Sequence, residues 1–343
     1  MPKCFFMTRF LIVVLFFGIV HFTSAQSTKE LYSSARNYLM QGDLDNANDS
    51  YNKLLLQDPE NYDALTDYCF LLTLKKDYDK AIKLGDKLLA NNNVTVQSYQ
   101  TIGLAYKGMG AFADAENLYK KGLQKFSTSG VLYNEYGELF ALQNKLNEAI
   151  IQWEVGIKAD PNYSNNYYNA TMYYSKVKED LFWVIQYGEI FINLESYSPH
   201  TTTIKAKIFD AYKKLLSGDT LDKFANAPEN TSFQKAWYTN LLSGIGAIKN
   251  GIDAESLTGL RTRFILNWYY NKQNEKTPFH LYDHQQYLIK EGFFDAYNQW
   301  IFGELSNKNY YQMWANTHEK DINFYKAFQQ SKIYKQPIGE YYK

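Results

Sequence analysis

Small residues return along the first half of the chain at a constant interval. Alanines stand every 34 residues, at Ala47, Ala81, Ala115 and Ala149. Two further sets keep the same interval, one small (Ala35, Cys69, Gly103, Gly137) and one large (Tyr38, Leu72, Tyr106, Phe140). Pro59 and Pro161, three intervals apart, cannot continue a helix and mark turns. The pattern predicts a helix–turn–helix unit repeated in register along the chain.

This pattern resembles the tetratricopeptide repeat in its period and in its residue classes. Four units fit, at 28–61, 62–95, 96–129 and 130–163, and 164–197 makes a divergent fifth. In the fifth unit, Thr171 and Trp183 stand where the family prefers small residues. The resemblance implies an all-α fold, a right-handed α-solenoid of five repeats with a C-terminal helical extension. Small residues would let paired helices approach closely.

Beyond about residue 198 the 34-residue period is lost, but helical spacing of apolar residues continues, as in Ile204, Ile208 and Leu215. No alternating strand pattern follows. We therefore expect an α-helical capping region over 198–331 and a loose tail over 332–343. The stretch 291–328 looks like a helical module that follows the repeats in exported, uncharacterised proteins of the Bacteroidota type.

The N-terminus has the pattern of a secretory signal peptide. Lys3 and Arg9 precede an apolar run over 10–22, and small residues end at Ala25. An apolar run of that length is too short to span a bilayer. We expect cleavage near Ala25, no membrane insertion afterwards, and a soluble exported protein. Whether it is periplasmic or secreted further stays open.

Composition removes some functions. Basic and acidic residues number 36 each, so no positive excess points to nucleic acid. Without the signal peptide only Cys69 remains, which excludes an intramolecular disulfide. Free cysteine is usually buried, and we expect the same here.

The resemblance implies a groove lined by the first helices of the repeats, where the family binds extended peptides or partner helices. The expected lining is the fifth and ninth residue of each unit and one residue near a helix end: Tyr32, Thr66, Gln100, Asn134, Tyr168, Arg36, Phe70, Leu104, Glu138, Met172 and Met40. Tyr32 and Arg36 do not match the Lys and Asn of members that bind acidic chaperone tails, so a neutral, partly apolar peptide is expected. The alternative is that several of these residues pack against neighbouring helices.

The leading hypothesis is a non-enzymatic scaffold or adaptor of the cell envelope that binds a protein partner and needs no cofactor. A glycan-binding protein is one alternative. A zinc-dependent hydrolase is another, because His280 and His284 in HLYDH would share a helix face. Its third ligand would have to be Glu291, His318 or Glu319. Partner identity and oligomeric state stay open.

Overall fold

A computed structural model describes residues 28–342, so the expected signal peptide lies outside the described residues. Every regular element among residues 28–342 is helical, which confirms the all-α prediction. The chain divides into an N-terminal unit, Met1–Phe126, and a C-terminal unit, Ser127–Lys343. No helix within 28–342 is long and apolar enough to cross a membrane.

The N-terminal unit consists of three consecutive helical hairpins. Its helices are α1 (28–40), α2 (Leu44–Gln57), α3 (Tyr62–Leu74), α4 (Tyr78–Ala90), α5 (Val96–Met109) and α6 (Phe112–Lys125). Side chains cap several of them: Asp43 and Asn61 accept hydrogen bonds from backbone N–H groups in the first turns of α2 and α3.

The C-terminal unit begins with two more hairpins and continues into shorter helices. The hairpin helices are α7 (Gly130–Leu142), α8 (Leu146–Ala159), α9 (Ser164–Tyr173) and α10 (Leu181–Leu194). After them come α11 (Pro199–Leu215), α12 (Thr220–Ala225), α13 (Ser232–Ser243), α14 (Ala254–Tyr270), α15 (Gln273–Lys276), α16 (His280–Lys290), α17 (Phe294–Asn298), α18 (Glu304–Ser306), α19 (Lys308–Thr317) and α20 (Glu319–Ser331). A π-helical turn, Gln299–Gly303, joins α17 to α18.

The hairpin turns have a periodic backbone feature that the sequence pattern did not reveal. Gly42, Lys76, Gly110 and Asn144 have φ of 76°, 61°, 78° and 60°, and they too are 34 residues apart. The left-handed conformation suits Gly and Asn, whereas Lys76 adopts it at a steric cost. The turn geometry is therefore conserved between hairpins even where the residue type is not.

The periodic small residues make room for rings from the second helix of the hairpin. A Cβ on Gly103 would lie 2.1 Å from the Tyr119 hydroxyl oxygen, and one on Gly137 would lie 2.3 Å from Nε1 of Trp153. Both rings are buried. Gly103 and Gly137 thus leave room for an aromatic side chain from the second helix of their own hairpin.

The second hairpin reaches the same packing with other residues. Cys69 is fully buried, as expected, and its Sγ donates to the Ala81 carbonyl oxygen at 3.2 Å. Gly85 stands where the other hairpins place a ring, and a Cβ there would lie 2.6 Å from Cγ1 of Ile102. Ile102, from the following helix, fills the space that the missing ring leaves.

The divergence of the fifth repeat comes from one inserted residue. The helices α2, α4, α6 and α8 start 34 residues apart, but α10 starts 35 residues after α8. A π-helical turn over Tyr174–Lys178, followed by Glu179 at φ 51°, holds the extra residue. Val184 therefore takes the position equivalent to Ala149. The 34-residue period had placed Trp183 there. Trp183 stands one residue out of phase.

Beyond α11 a single aromatic core holds the C-terminal unit together. Phe233 and Phe279 pack with ring centroids 5.0 Å apart, and Trp268 and Tyr282 do the same. The end of the chain also differs from the expected loose tail. Tyr334 and Gln336 are buried, and the Gln336 backbone N–H donates to Oδ1 of Asn162 at 3.0 Å.

A buried ion pair lies inside this core. Arg261 donates to Glu189, and both side chains are at most 3% exposed. Oε1 of Glu189 also accepts from Gln285 Nε2 at 2.6 Å and from the Tyr297 hydroxyl at 2.7 Å. Arg261 donates in addition to Asn298 Oδ1. The charges are therefore paired and hydrogen-bonded, which a buried ion pair requires.

Candidate functional site

The first helices of the N-terminal unit form a polar depression of about 290 Å³. It includes two predicted groove residues of α1, Tyr32 and Arg36, and Thr66 of α3. Its remaining lining comes from α3 and the start of α5: Tyr62, Asp63, Asp67, Thr95 and Gln97. We call this depression, with the exposed apolar side chains Met40, Phe70 and Leu74 of the same helices, the groove face.

Asp67 is the fixed charge of the groove face. Its Oδ2 accepts from the hydroxyls of Tyr32 at 3.0 Å and of Tyr51 at 3.3 Å, and it lies 3.5 Å from Nε of Arg36. Burial, reinforced by Asp67, raises the pKa of Tyr32 to about 12, so this tyrosine stays a hydrogen-bond donor. The Arg36 side chain is 55% exposed and therefore remains open to a ligand.

One side of the depression is closed by a hydrogen-bonded contact between repeats. The Tyr62 hydroxyl contacts Oγ of Ser98 and accepts from the Thr95 backbone N–H at 3.2 Å. Thr66 is buried, and its hydroxyl donates to the Tyr62 carbonyl at 2.9 Å. Thr66 therefore shapes the depression without presenting its hydroxyl to a ligand.

Exposed apolar side chains lie on the same helices. Phe70 and Leu74 are one helical turn apart on α3 and are 37% and 46% exposed. Met40, at the position equivalent to Leu74 on α1, is 72% exposed. Gln100 and Leu104 of α5 are partly buried. The groove face thus combines a fixed carboxylate with accessible apolar surface.

In the C-terminal unit, the equivalent positions join helices to one another. Asn134 is 1% exposed, donates to Oε1 of Glu138 and accepts from Asn169, both at 2.9 Å. The centroid of the Tyr168 ring lies 5.6 Å from that of Phe191 and 4.5 Å from that of His200.

Met172 is partly buried against the hydrophobic core of the C-terminal unit. The packing of Asn134, Tyr168 and Met172 agrees with the alternative interpretation, in which several predicted groove residues pack against neighbouring helices. The exposed residues of the predicted lining, Arg36, Met40 and Phe70, lie in the N-terminal unit.

Asp63 and Asp67, the two carboxylates of the groove face, were not predicted from the sequence. They are the second and sixth residues of their repeat and share a helix face with Phe70, which lies seven and three residues after them. The fifth and ninth positions alone sample only part of a helix face, whose neighbours recur three and four residues apart.

The histidine pair predicted in HLYDH lies on α16 of the C-terminal unit. His284 stacks on Phe328 with ring centroids 6.0 Å apart, and its burial, with His280 nearby, lowers its pKa to about 4. His318, a proposed third ligand, instead stacks on Trp314 at 4.6 Å. Among residues 28–342 no group of three or more His, Cys, Asp or Glu could hold a metal ion. The zinc hypothesis therefore lacks its third ligand within that range.

Part of the chain is similar to known tetratricopeptide repeat proteins. A family model described as the tetratricopeptide repeat matches residues 38–102. A solved structure of a tetratricopeptide repeat protein from Parabacteroides merdae is similar, with 21% sequence identity and a TM-score of 0.42. The similarity covers 53% of this chain and 70% of that one. No curated protein matches the sequence.

Proposed function

We propose that this tetratricopeptide-repeat protein is a non-enzymatic scaffold that holds a segment of a partner protein on the groove face. One observation carries the proposal: exposed Phe70 and Leu74 stand beside a carboxylate, Asp67, whose position is fixed by two tyrosine hydroxyls. Apolar surface supplies affinity, and a fixed charge supplies orientation.

The groove face selects for a particular kind of segment. An apolar side chain that covers Phe70 and Leu74 contributes on the order of 1.5–3 kcal/mol when fully buried. A basic or amide side chain of the partner, next to its apolar one, can donate hydrogen bonds to Asp63 and Asp67. Arg36 can donate to a backbone carbonyl or a carboxylate of the partner. An extended partner segment with alternating apolar and polar side chains satisfies both requirements, and so does a helix with apolar residues three and four positions apart.

The N-terminal pattern of residues 1–25 supports a place for this scaffold outside the cytoplasm, in the periplasm or beyond. Its partner would then be another exported protein or the exported part of a membrane protein. Fractionation of native cells, with mass spectrometry of the mature N-terminus, tests this placement. A chain that retains residues 1–25 in the cytoplasmic fraction would contradict it.

Photo-crosslinking from single positions tests the groove face directly. A benzoylphenylalanine at position 70 lies on the first helix of its repeat, and one at position 56 replaces Leu56, an 83% exposed residue of the second helix α2. In native cells we expect one dominant protein adduct from position 70 and none from position 56. Equal adducts from both positions would remove the groove-face assignment.

Binding measurements with the crosslinked partner then separate apolar from polar contributions. Phe70→Ser should raise Kd by about tenfold or more, since it removes most of an apolar contact. Asp63→Asn should raise it less, because Asp63 is exposed and solvent screens its charge. Leu56→Ser is the matched control and should leave Kd unchanged. Circular dichroism shows whether each variant keeps its helices.

A further inference from the structure

The C-terminal unit has a second depression that the proposed function does not use. It has a volume of about 420 Å³ and lies where α10 and α11 pack beside the inserted π-turn. Leu181, Val184 and Ala211 give it an apolar lining, and Ser175 and Ser217 add hydroxyls. We call this depression the lysine pocket, because three lysines of α11 complete its lining.

The lysine pocket carries uncompensated positive charge. Nζ of Lys213 lies 2.8 Å from Oδ1 of Asp210, so these two charges cancel. Lys207 and Lys214 line the same pocket, and within residues 28–342 neither ammonium group makes an ion pair or a hydrogen bond. The pocket therefore has two available cations over an apolar surface.

The two cations have a defined separation. Lys207 and Lys214 are seven residues apart on α11, which is two helical turns or about 10 Å along the axis. Both side chains therefore project from one side of the helix. Ala211 lies on the same face between them, because it is four residues from one and three from the other.

We propose that the lysine pocket binds an acidic segment of a partner protein, with two carboxylates bracketing an apolar side chain. In an extended chain, side chains two and four positions apart lie on one face, so two acidic residues four positions apart can bracket an apolar residue midway between them. They span about 13 Å, which the flexible side chains of Lys207 and Lys214 can reach. The apolar side chain between them enters the pocket toward Val184 and Ala211. This surface is independent of the groove face and has the opposite charge preference.

The location of the pocket supports a role in recognition. Ser175 belongs to the π-turn Tyr174–Lys178, and single π-turns inside α-helical folds occur frequently at functional sites. The regular hairpins, which lack the inserted residue, have a direct turn at this place. The inserted residue thus lies beside the charged depression between α10 and α11.

Fluorescence anisotropy with a labelled Gly-Glu-Gly-Leu-Gly-Glu-Gly peptide tests the proposal on the full chain. We expect saturable binding that weakens with salt, and binding at least about tenfold weaker for the same peptide with Gln in place of Glu. The double variant Lys207→Gln/Lys214→Gln should lose about tenfold in affinity. Lys308→Gln/Lys320→Gln, with the same change in net charge at exposed sites of this unit, should lose less than about twofold.

A pocket-filling variant distinguishes the pocket from general charge attraction. Ser217→Trp leaves every charge in place and should weaken the Glu peptide as much as the double lysine variant does. Equal affinity for the Glu and Gln peptides, or equal loss in the pocket and control lysine variants, would overturn the proposal. Binding to phosphatidylglycerol vesicles through Lys207 and Lys214, without peptide binding, would also overturn it, in favour of a lipid surface.

Discussion

The two units of this chain achieve stability by different means. In the N-terminal unit the decisive contacts join residues close in sequence, such as Cys69 with Ala81. In the C-terminal unit, Glu189 bonds to side chains 72, 96 and 108 residues away. A repeat pattern therefore predicts packing where contacts are local, and gives no account of packing where distant segments share one core.

The largest expected effect tests whether the buried ion pair sets the stability of the C-terminal unit. Glu189→Ala leaves Arg261 buried without its countercharge, and we expect a loss of about 3–5 kcal/mol in the free energy of unfolding. Hydrogen exchange resolved by residue should show α14 and α17 losing protection while α3 and α5 keep theirs. Equal loss in both units would contradict the division between them.

A pH titration should change the stability of the C-terminal unit more than that of the N-terminal unit. Burial, with His280 nearby, lowers the pKa of His284 to about 4, compared with about 6.5 in an unfolded chain. The unfolded chain therefore binds a proton first, and stability is lost as pH falls from about 6.5 to 4. The loss is on the order of 2–3 kcal/mol.

Urea denaturation at several pH values measures this contribution, with His284→Asn as the comparison. The variant should show a shallower decline of stability across that pH range. An identical decline in both proteins would show that other groups, and not His284, govern the acid response.

A smaller effect is expected from a change at a glycine that faces an aromatic ring within a regular hairpin. Gly137→Ala places a Cβ 2.3 Å from Nε1 of Trp153, and we expect overpacking to cost about 1–3 kcal/mol. Gly259→Ala is the matched control, since its Cβ would lie 3.5 Å from that of Ala247, an ordinary contact. There the alanine should stabilise α14 by roughly 0.5–1 kcal/mol. Thermal unfolding should move in opposite directions in the two variants.

The smallest effect concerns an exposed ion pair of the same C-terminal unit. Lys223 Nζ lies 3.0 Å from Oδ1 of Asp219, and both side chains are 72% exposed. Because solvent screens this pair, Lys223→Ala, which leaves the N-cap residue Asp219 of α12 in place, should leave the thermal midpoint at the wild-type value. A clear fall in the midpoint would mean that surface pairs contribute as buried ones do, and would weaken the contrast with Glu189.

The periodic part of the fold could be read from the sequence because each period obeys the same local rule. Small residues repeated every 34 positions predicted the hairpins, and the usual burial of free cysteine predicted the burial of Cys69. The rule failed at Trp183, where one inserted residue shifted the phase. Insertions absorbed in a π-turn leave no mark in the composition, since any residue can occupy that turn.

The candidate site was predictable only in part. Tyr32, Arg36 and Phe70 were found from their places in the repeat, but exposure decides which groove positions can meet a ligand. Asn134 looked equivalent to them and is buried, because Asn169 and Glu138 bind its amide. The pairing of Glu189 with Arg261 had no sequence signal at all, since nothing local relates residues 72 positions apart.

The bonds between Asn162 and Gln336 bear on the order in which the molecule can form during synthesis. They connect a loop near the start of the C-terminal unit to a segment that is translated 174 residues later. The N-terminal unit can complete its contacts while the ribosome is still at work. The C-terminal unit cannot form this contact until residue 336 has been synthesised, so the surface around Asn162 stays uncovered after the N-terminal unit has completed its own contacts.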